Sequence, residues 1–272
     1  MRAAAAGTVL SALTSRGVAP IMPFDLRRAV AAAALLAGVT ATAACGIVAG
    51  EDETAPLADI ATERVSAENG LDKMPPVDAL DTVVQELEDE GSFHVSGEVR
   101  GGALDITYLF GQGAIGSFGD AGGEGSPVEI VAADGRIYVA GDENFLIETV
   151  GEDAAKTIGG KWLLLADDSA TKFDVLADGE KFAEAVFGGR TGQIETTGVR
   201  EVDGQPAIGF LFRETGATLW VAATGDPRPL RFEEAGASGG KGVLKFDGIG
   251  AEVELEIPAE DDVVDAENLE AD

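Results

Sequence analysis

The chain has 272 residues, a formal net charge of −30 and only 19 lysines and arginines, a balance that repels a nucleic-acid backbone and argues against DNA or RNA as a partner. One cysteine and one histidine exclude an intramolecular disulfide and a multi-thiolate zinc site, and leave little for a histidine-based metal cluster. A hydrophobic content of 45% excludes disorder from end to end.

The chain opens as an export signal. Arg27 and Arg28 precede the uncharged run 29–44, a basic segment followed by an apolar one. The run is shorter than the roughly 20 residues that span a membrane. Met22, just upstream of the arginines, is the more typical start, so residues 1–44 are expected to be a signal region whose translation begins at Met22. The Arg-Arg pair also fits twin-arginine export, though nothing else around it does. Small residues lead into Cys45. Ala43, Ala44 and Cys45 match a bacterial lipobox, while Thr42 stands where leucine is usual. Two readings follow: lipid transfer to Cys45, or cleavage after Ala44 that leaves a free thiol. Residues 45–75 are acidic and poor in aromatics, as in a flexible tether.

One α+β domain is expected over 76–258. Val77, Leu80, Val83, Val84 and Leu87 recur at helical spacing, with Pro76 in the first turn and Gly91 as the C-terminal cap. Phe93, Val95 and Val99 alternate with polar residues, and so do Leu104, Ile106, Tyr108 and Phe110, giving half-buried strands. Asp134-Gly135 marks a hairpin turn in "PVEIVAADGRIYVA". Helical spacing returns through Phe145, Leu146, Val150, Ala154 and Ile158, weakened at Gly151, and one or two short helices span 171–189, ending at Gly188. Strands resume in "IETTGVREVDGQPAIGFLF", "ATLWVAATGDPRPLRFEEA" and "GVLKFDGIGAEVELEIP", with turns at Asp203-Gly204 and Gly225-Asp226-Pro227. Hairpin links predict an antiparallel sheet with the helices gathered on one face. The acidic tail 259–272 is expected to fray.

Catalytic signals are thin, and no enzyme is expected. Gly111, Gly113 and Gly116 fit the spacing of a dinucleotide fingerprint, but the residues after Gly116 cannot hold the helix that such a site needs. A bent glycine-rich strand, or a loop rimming a cavity, is the alternative. Alternation turns His94 away from the apolar face, and no nucleophile motif accompanies it. Asp167-Asp168 and Glu260-Asp261-Asp262 lack the spacing of a calcium loop and read as solvated surface. Trp162 and Trp220 read as core anchors. No metal site and no cofactor are expected. Phe110, Val128, Ile130, Val139, Phe210, Phe212, Leu219 and Val221 are expected on the inner side of the sheet, either lining an apolar cavity or packed as solid core.

In the order of its elements, and in "VAADGRIYVA", "IGGKWLLL", "ATLWVAATGDPRPLRFE" and "LKFDGIGAEVELEIPAEDDVVD", the region 76–265 resembles the LppX/LprAFG group of actinobacterial envelope lipoproteins, similar in fold to the LolA carriers. The resemblance implies a curved antiparallel half-barrel covered on one face by helices. It also implies an acylated lipid or glycolipid held between sheet and helices and carried across the envelope. The protein would be anchored through Cys45 on the extracytoplasmic face of the cell membrane, with a membrane transporter as a candidate partner. Thr42 and the glycine-rich stretch 111–126 depart from the pattern. The alternative is a solidly packed, membrane-tethered adaptor or sensor that docks onto a membrane protein.

Overall fold

The computed structural model describes residues 67–99, 101–121, 125–187, 193–238 and 240–269. The signal region, Cys45, the tether up to residue 66 and Gly188 lie outside the described residues. The final residues of the expected tether are docked: Ala67 and Leu71 are buried, and Asn69 Nδ2 donates to Ala222 O at 2.8 Å.

A 3-10 turn (Leu71–Lys73) leads into α1 (Pro76–Glu90). Proline suits the first helical position, where its missing N–H has no partner to lose. Gly91 ends α1 in the left-handed region (φ 79°), its N–H donating to Leu87 O at 3.1 Å. Ala79, Leu80, Val83 and Leu87 form the buried stripe. A meander follows: β1 (Ser92–Val99), β2 (Gly102–Leu109), β3 (Gly113–Asp120), β4 (Val128–Ala133) and β5 (Arg136–Ala140).

The helical middle comprises α2 (Glu143–Val150), α3 (Glu152–Ile158), a short β6 (Trp162–Leu164), α4 (Asp167–Ala170), α5 (Asp174–Ala177) and α6 (Gly179–Phe187). Asp142 caps α2 by accepting from Phe145 N at 2.9 Å. Gly151, at φ 90°, separates α2 from α3. Asp178 starts α6 by accepting from Glu180 N and Lys181 N. The second half holds β7 (Ile194–Thr196), β8 (Arg200–Val202), β9 (Gln205–Phe212), β10 (Ala217–Ala222), β11 (Pro229–Ser238), β12 (Lys241–Asp247), β13 (Val263–Asp265) and α7 (Ala266–Leu269).

The fold is α+β. One large, curved, open sheet runs β13-β6-β5-β4-β3-β2-β1-β12-β11-β10-β9-β7, with β8 also on β9. Every neighbouring pair is antiparallel except β13 with β6. The centre closes through β1 on β12, joining the two meanders across 153 positions of sequence between His94 and Asp247.

The glycine spacing 111–116 belongs to β3. A Cβ at Gly113 would overlap the Ala132 carbonyl, and one at Gly116 would overlap the Asp105 carbonyl. The glycines let neighbouring backbones meet inside the sheet, and no helix opens after Gly116.

Two C-terminal expectations fail. Residues 251–257 alternate apolar and glutamate residues like a strand, yet they pair with nothing in the sheet, because the chain leaves β12 and crosses toward β6. Residues 260–269 do not fray. Val263 and Val264 add β13 to the edge of β6, and Ala266 is buried.

Candidate functional site

Pleat alternation sends one apolar set inward. Phe246, Val95, Ile106, Gly116, Ile130, Val139 and Leu163 form one continuous cross-strand row over β12-β1-β2-β3-β4-β5-β6. A second row runs Phe210, Leu219, Phe232, Leu244, Gly97, Leu104, Phe118 and Val128. Helices α1, α5 and α6 supply the opposing side chains, and all of these buried residues belong to one cluster.

The eight candidate lining residues are all on this inner side, seven of them divided between two wings. Ile130 pairs with Val139, and Val128 lies beside Phe118, on β4–β5. Phe210 pairs with Leu219, while Phe212 and Val221 flank them on β9–β10. Phe110 sits one residue past β2, half-buried, its ring 5.5 Å from that of Phe93. Between the wings lie residues left out of the expected lining: Phe93, Tyr108, Phe182, Phe187 and Phe246. Phe182 stacks on Tyr108 at 4.8 Å, and Phe187 is 5.7 Å from Phe246. The alternation of β1 and β2 carried the signal for Phe93 and Tyr108, and the apolar face of α6 carried it for Phe182.

In this conformation the inner space is filled. A side chain bordering a void wide enough for a hydrocarbon tail keeps area that water can touch. Ile130, Val139, Phe210, Leu219 and Val221 are 0% exposed. At one end of the seam between helices and sheet, half-buried Phe118 meets Phe145 and Phe173 at 6.3 and 5.7 Å. Phe118 of this aromatic trio lies two residues before the end of β3.

Polar ties across the seam include one from Tyr108, whose hydroxyl donates to Val175 O at 3.2 Å. Burial pushes that hydroxyl well above its usual range, with the Asp178 charge adding to the effect, so it remains a donor.

A separate pocket of about 510 Å³ opens on the outward side, lined by Asp134, Arg136, Tyr138, Leu164, Ile257 and Pro258 among others. It contains none of the eight expected residues.

The remaining candidates are structural. His94 faces outward, Nδ1 at 2.6 Å from Asp247 and Nε2 at 3.1 Å from Asp105, tying β12 and β2 to β1. Partial burial lowers its pKa, but the two aspartates together outweigh that and raise it above the ordinary value. Trp220 is buried on the outward side in a small cluster with Val202, Ala207 and Leu230. Arg200 lies 3.5 Å over its ring, and its indole N–H donates to Glu233 at 3.0 Å. Trp162 is half-buried at the start of β6. Glu86, Glu90 and Asp226 converge closely enough to hold a cation, but the Arg228 guanidinium pairs with all three. Glu260, Asp261 and Asp262 form a 3-10 turn with none of their residues buried.

No family model matches the chain, and no curated protein matches it.

Proposed function

We propose that this chain is an exported lipoprotein, anchored through Cys45, whose sheet and helical layer part to take up the acyl chains of a lipid or glycolipid. The observation that carries the reading is an open sheet whose inner face and helical cover meet through a broad aromatic and aliphatic contact, with Phe118, Phe145 and Phe173 half-buried at its margin. That filled contact has to open. Lifting Phe182, Val186 and Phe187 off the sheet exposes three large side chains and costs roughly 5–9 kcal/mol at about 1.5–3 kcal/mol each. Burying a tail of about 16 carbons returns on the order of 12 kcal/mol at ~0.8 kcal/mol per CH2. The exchange is favourable in sign, so a collapsed empty state is compatible with carriage. No residue takes part in covalent chemistry beyond Cys45.

The filled interior favours a second reading on its own terms: a tethered adaptor whose core never opens and whose acidic surface docks a membrane protein. Uptake of a fluorescent fatty-acid probe separates the two. The carrier gives saturable uptake that a diacyl lipid competes away; the adaptor gives none. For the anchor, Cys45→Ala is expected to release the protein into the medium. A variant that stays membrane-bound, in a wild-type chain whose mass lacks acyl groups, removes the lipid anchor from the account.

A further inference from the structure

Residues 251–258 bridge two distant points of the sheet. At one end Gly250 N donates to Ser92 O at 2.9 Å, and Ala251 O accepts from Ser92 Oγ at 2.7 Å, both at the start of β1. At the other end Ile257 and Pro258 border the outward pocket with Tyr138 of β5 and Leu164 of β6. β1 and β5 are separated by β2, β3 and β4. At about 4.8 Å per strand spacing that gap is roughly 19 Å. The stretch from Ala251 to Ile257 reaches about 22 Å at most. The segment is therefore close to fully extended, and it crosses the sheet rather than joining it.

Its side chains alternate. Val253 and Leu255 are half-buried, while Glu252, Glu254 and Glu256 are exposed. The outward face of the sheet carries a cross-strand row of Ile115, Val131, Tyr138 and Leu164, of which Tyr138 and Leu164 share the pocket with Ile257 and Pro258. Val131 and Tyr138 in that row are buried although they face away from the core cluster. Among the described residues, no backbone group of residues 252–258 has a hydrogen-bond partner, and none of the three glutamates has an ion-pair partner. An extended stretch with both edges unpaired is a template for another strand.

We propose that residues 252–258 are a strand-addition site for an extended cationic segment of a protein partner, one that alternates lysine or arginine with apolar residues. Main-chain hydrogen bonds to the strap supply affinity, and cations opposite Glu252, Glu254 and Glu256 supply the choice of partner. Like charges placed opposite one another destabilise a strand pair, so the glutamates turn away a second copy of the same segment. Ile257, 47% exposed, extends the apolar side of the strap to the mouth of the outward pocket. A large apolar side chain of the partner enters there, beside Tyr138 and Leu164. The site lies on the side of the sheet away from the helical layer and does not depend on the lipid reading.

The test uses the full chain and the capped peptide Lys-Val-Lys-Val-Lys-Phe-Lys, with a second peptide of the same sequence N-methylated at alternate amides. The expected result is binding by calorimetry that weakens with salt, with amide exchange of residues 252–257 slowed at least about tenfold. The methylated peptide keeps every charge but loses its donors, and is expected to bind at least about tenfold more weakly. Glu252→Lys/Glu254→Lys/Glu256→Lys, exposed changes that leave the circular dichroism unaltered, is expected to abolish binding. Equal binding of the two peptides, unchanged exchange in the strap, or absence of binding overturns the proposal.

Discussion

Truncating Phe182 tests the packing on which both functional readings turn. Its ring is 2% exposed and stacks 4.8 Å from Tyr108, with Phe93 at 6.1 Å and Phe246 at 6.4 Å. Phe182→Ala removes that ring from among three others whose strands are fixed by sheet hydrogen bonds, so the site cannot collapse fully. Loss of transfer free energy and of the cavity contacts together is expected to cost about 3–5 kcal/mol. Urea unfolding of wild type and variant reads this directly, as a lower midpoint with an unchanged slope. The same variant reports on carriage. A void beneath α6 relieves part of the opening cost, so uptake of a fatty-acid probe is expected to rise relative to wild type. A cost below about 1 kcal/mol would show that the Phe182 ring does not hold α6 against the sheet, and the filled interior described above would be wrong.

Other perturbations probe the sheet and its ties. His94 is held above its ordinary pKa in the fold, so its contribution is fully present below about pH 6.5 and is lost as the pH rises through its folded-state titration. His94→Gln is therefore expected to be less stable than wild type near pH 6, by under about 1 kcal/mol because both aspartate partners are exposed, with the gap closing in alkali; a gap that widens with pH refutes the assignment. Gly116→Val is expected to break the β2–β3 pairing at Asp105 and leave little soluble protein. Gly135→Ala, at φ 74° with open space around it, is expected to cost only about 1–2 kcal/mol. Comparable losses in the two would contradict the close backbone approach at β3. Arg228→Gln leaves Glu86, Glu90 and Asp226 facing one another. It is expected to destabilise by about 1–3 kcal/mol at low ionic strength and by less in high salt, which screens the repulsion among the three. A loss that grows with added salt would argue against charge repulsion as its cause.

Local pattern carried the elements, and long-range pairing was hidden from it. Period-two alternation at Phe93, Val95, Leu104, Ile106 and Tyr108 located β1 and β2, and Asp134-Gly135 and Asp203-Gly204 located the β4–β5 and β8–β9 turns, both residues of each pair at positive φ. Pro76 and Gly91 marked both ends of α1. Nothing local says that β12 returns to β1, because the identity of a strand's partner is not written in its own alternation. For the same reason the contacts of His94 with Asp247 and Asp105 were illegible.

Residues 251–257 show the converse. Val253 and Leu255 are half-buried while the glutamates between them are exposed, so one side of the segment is covered, a pattern that a strap crossing a sheet shares with a strand inside one. The inner face was legible residue by residue, since all eight expected positions face it, but how tightly the space is filled was not. That depends on Phe182 and Phe187 arriving from a helix whose placement no strand pattern specifies.

Native mass spectrometry of the protein extracted from membranes puts the central claim to its most direct test. The account gives a folded species carrying one acylated lipid, released on activation, alongside a smaller empty population. A single lipid-free mass across independent preparations, with no probe uptake by the same material, would contradict it and leave the tethered adaptor.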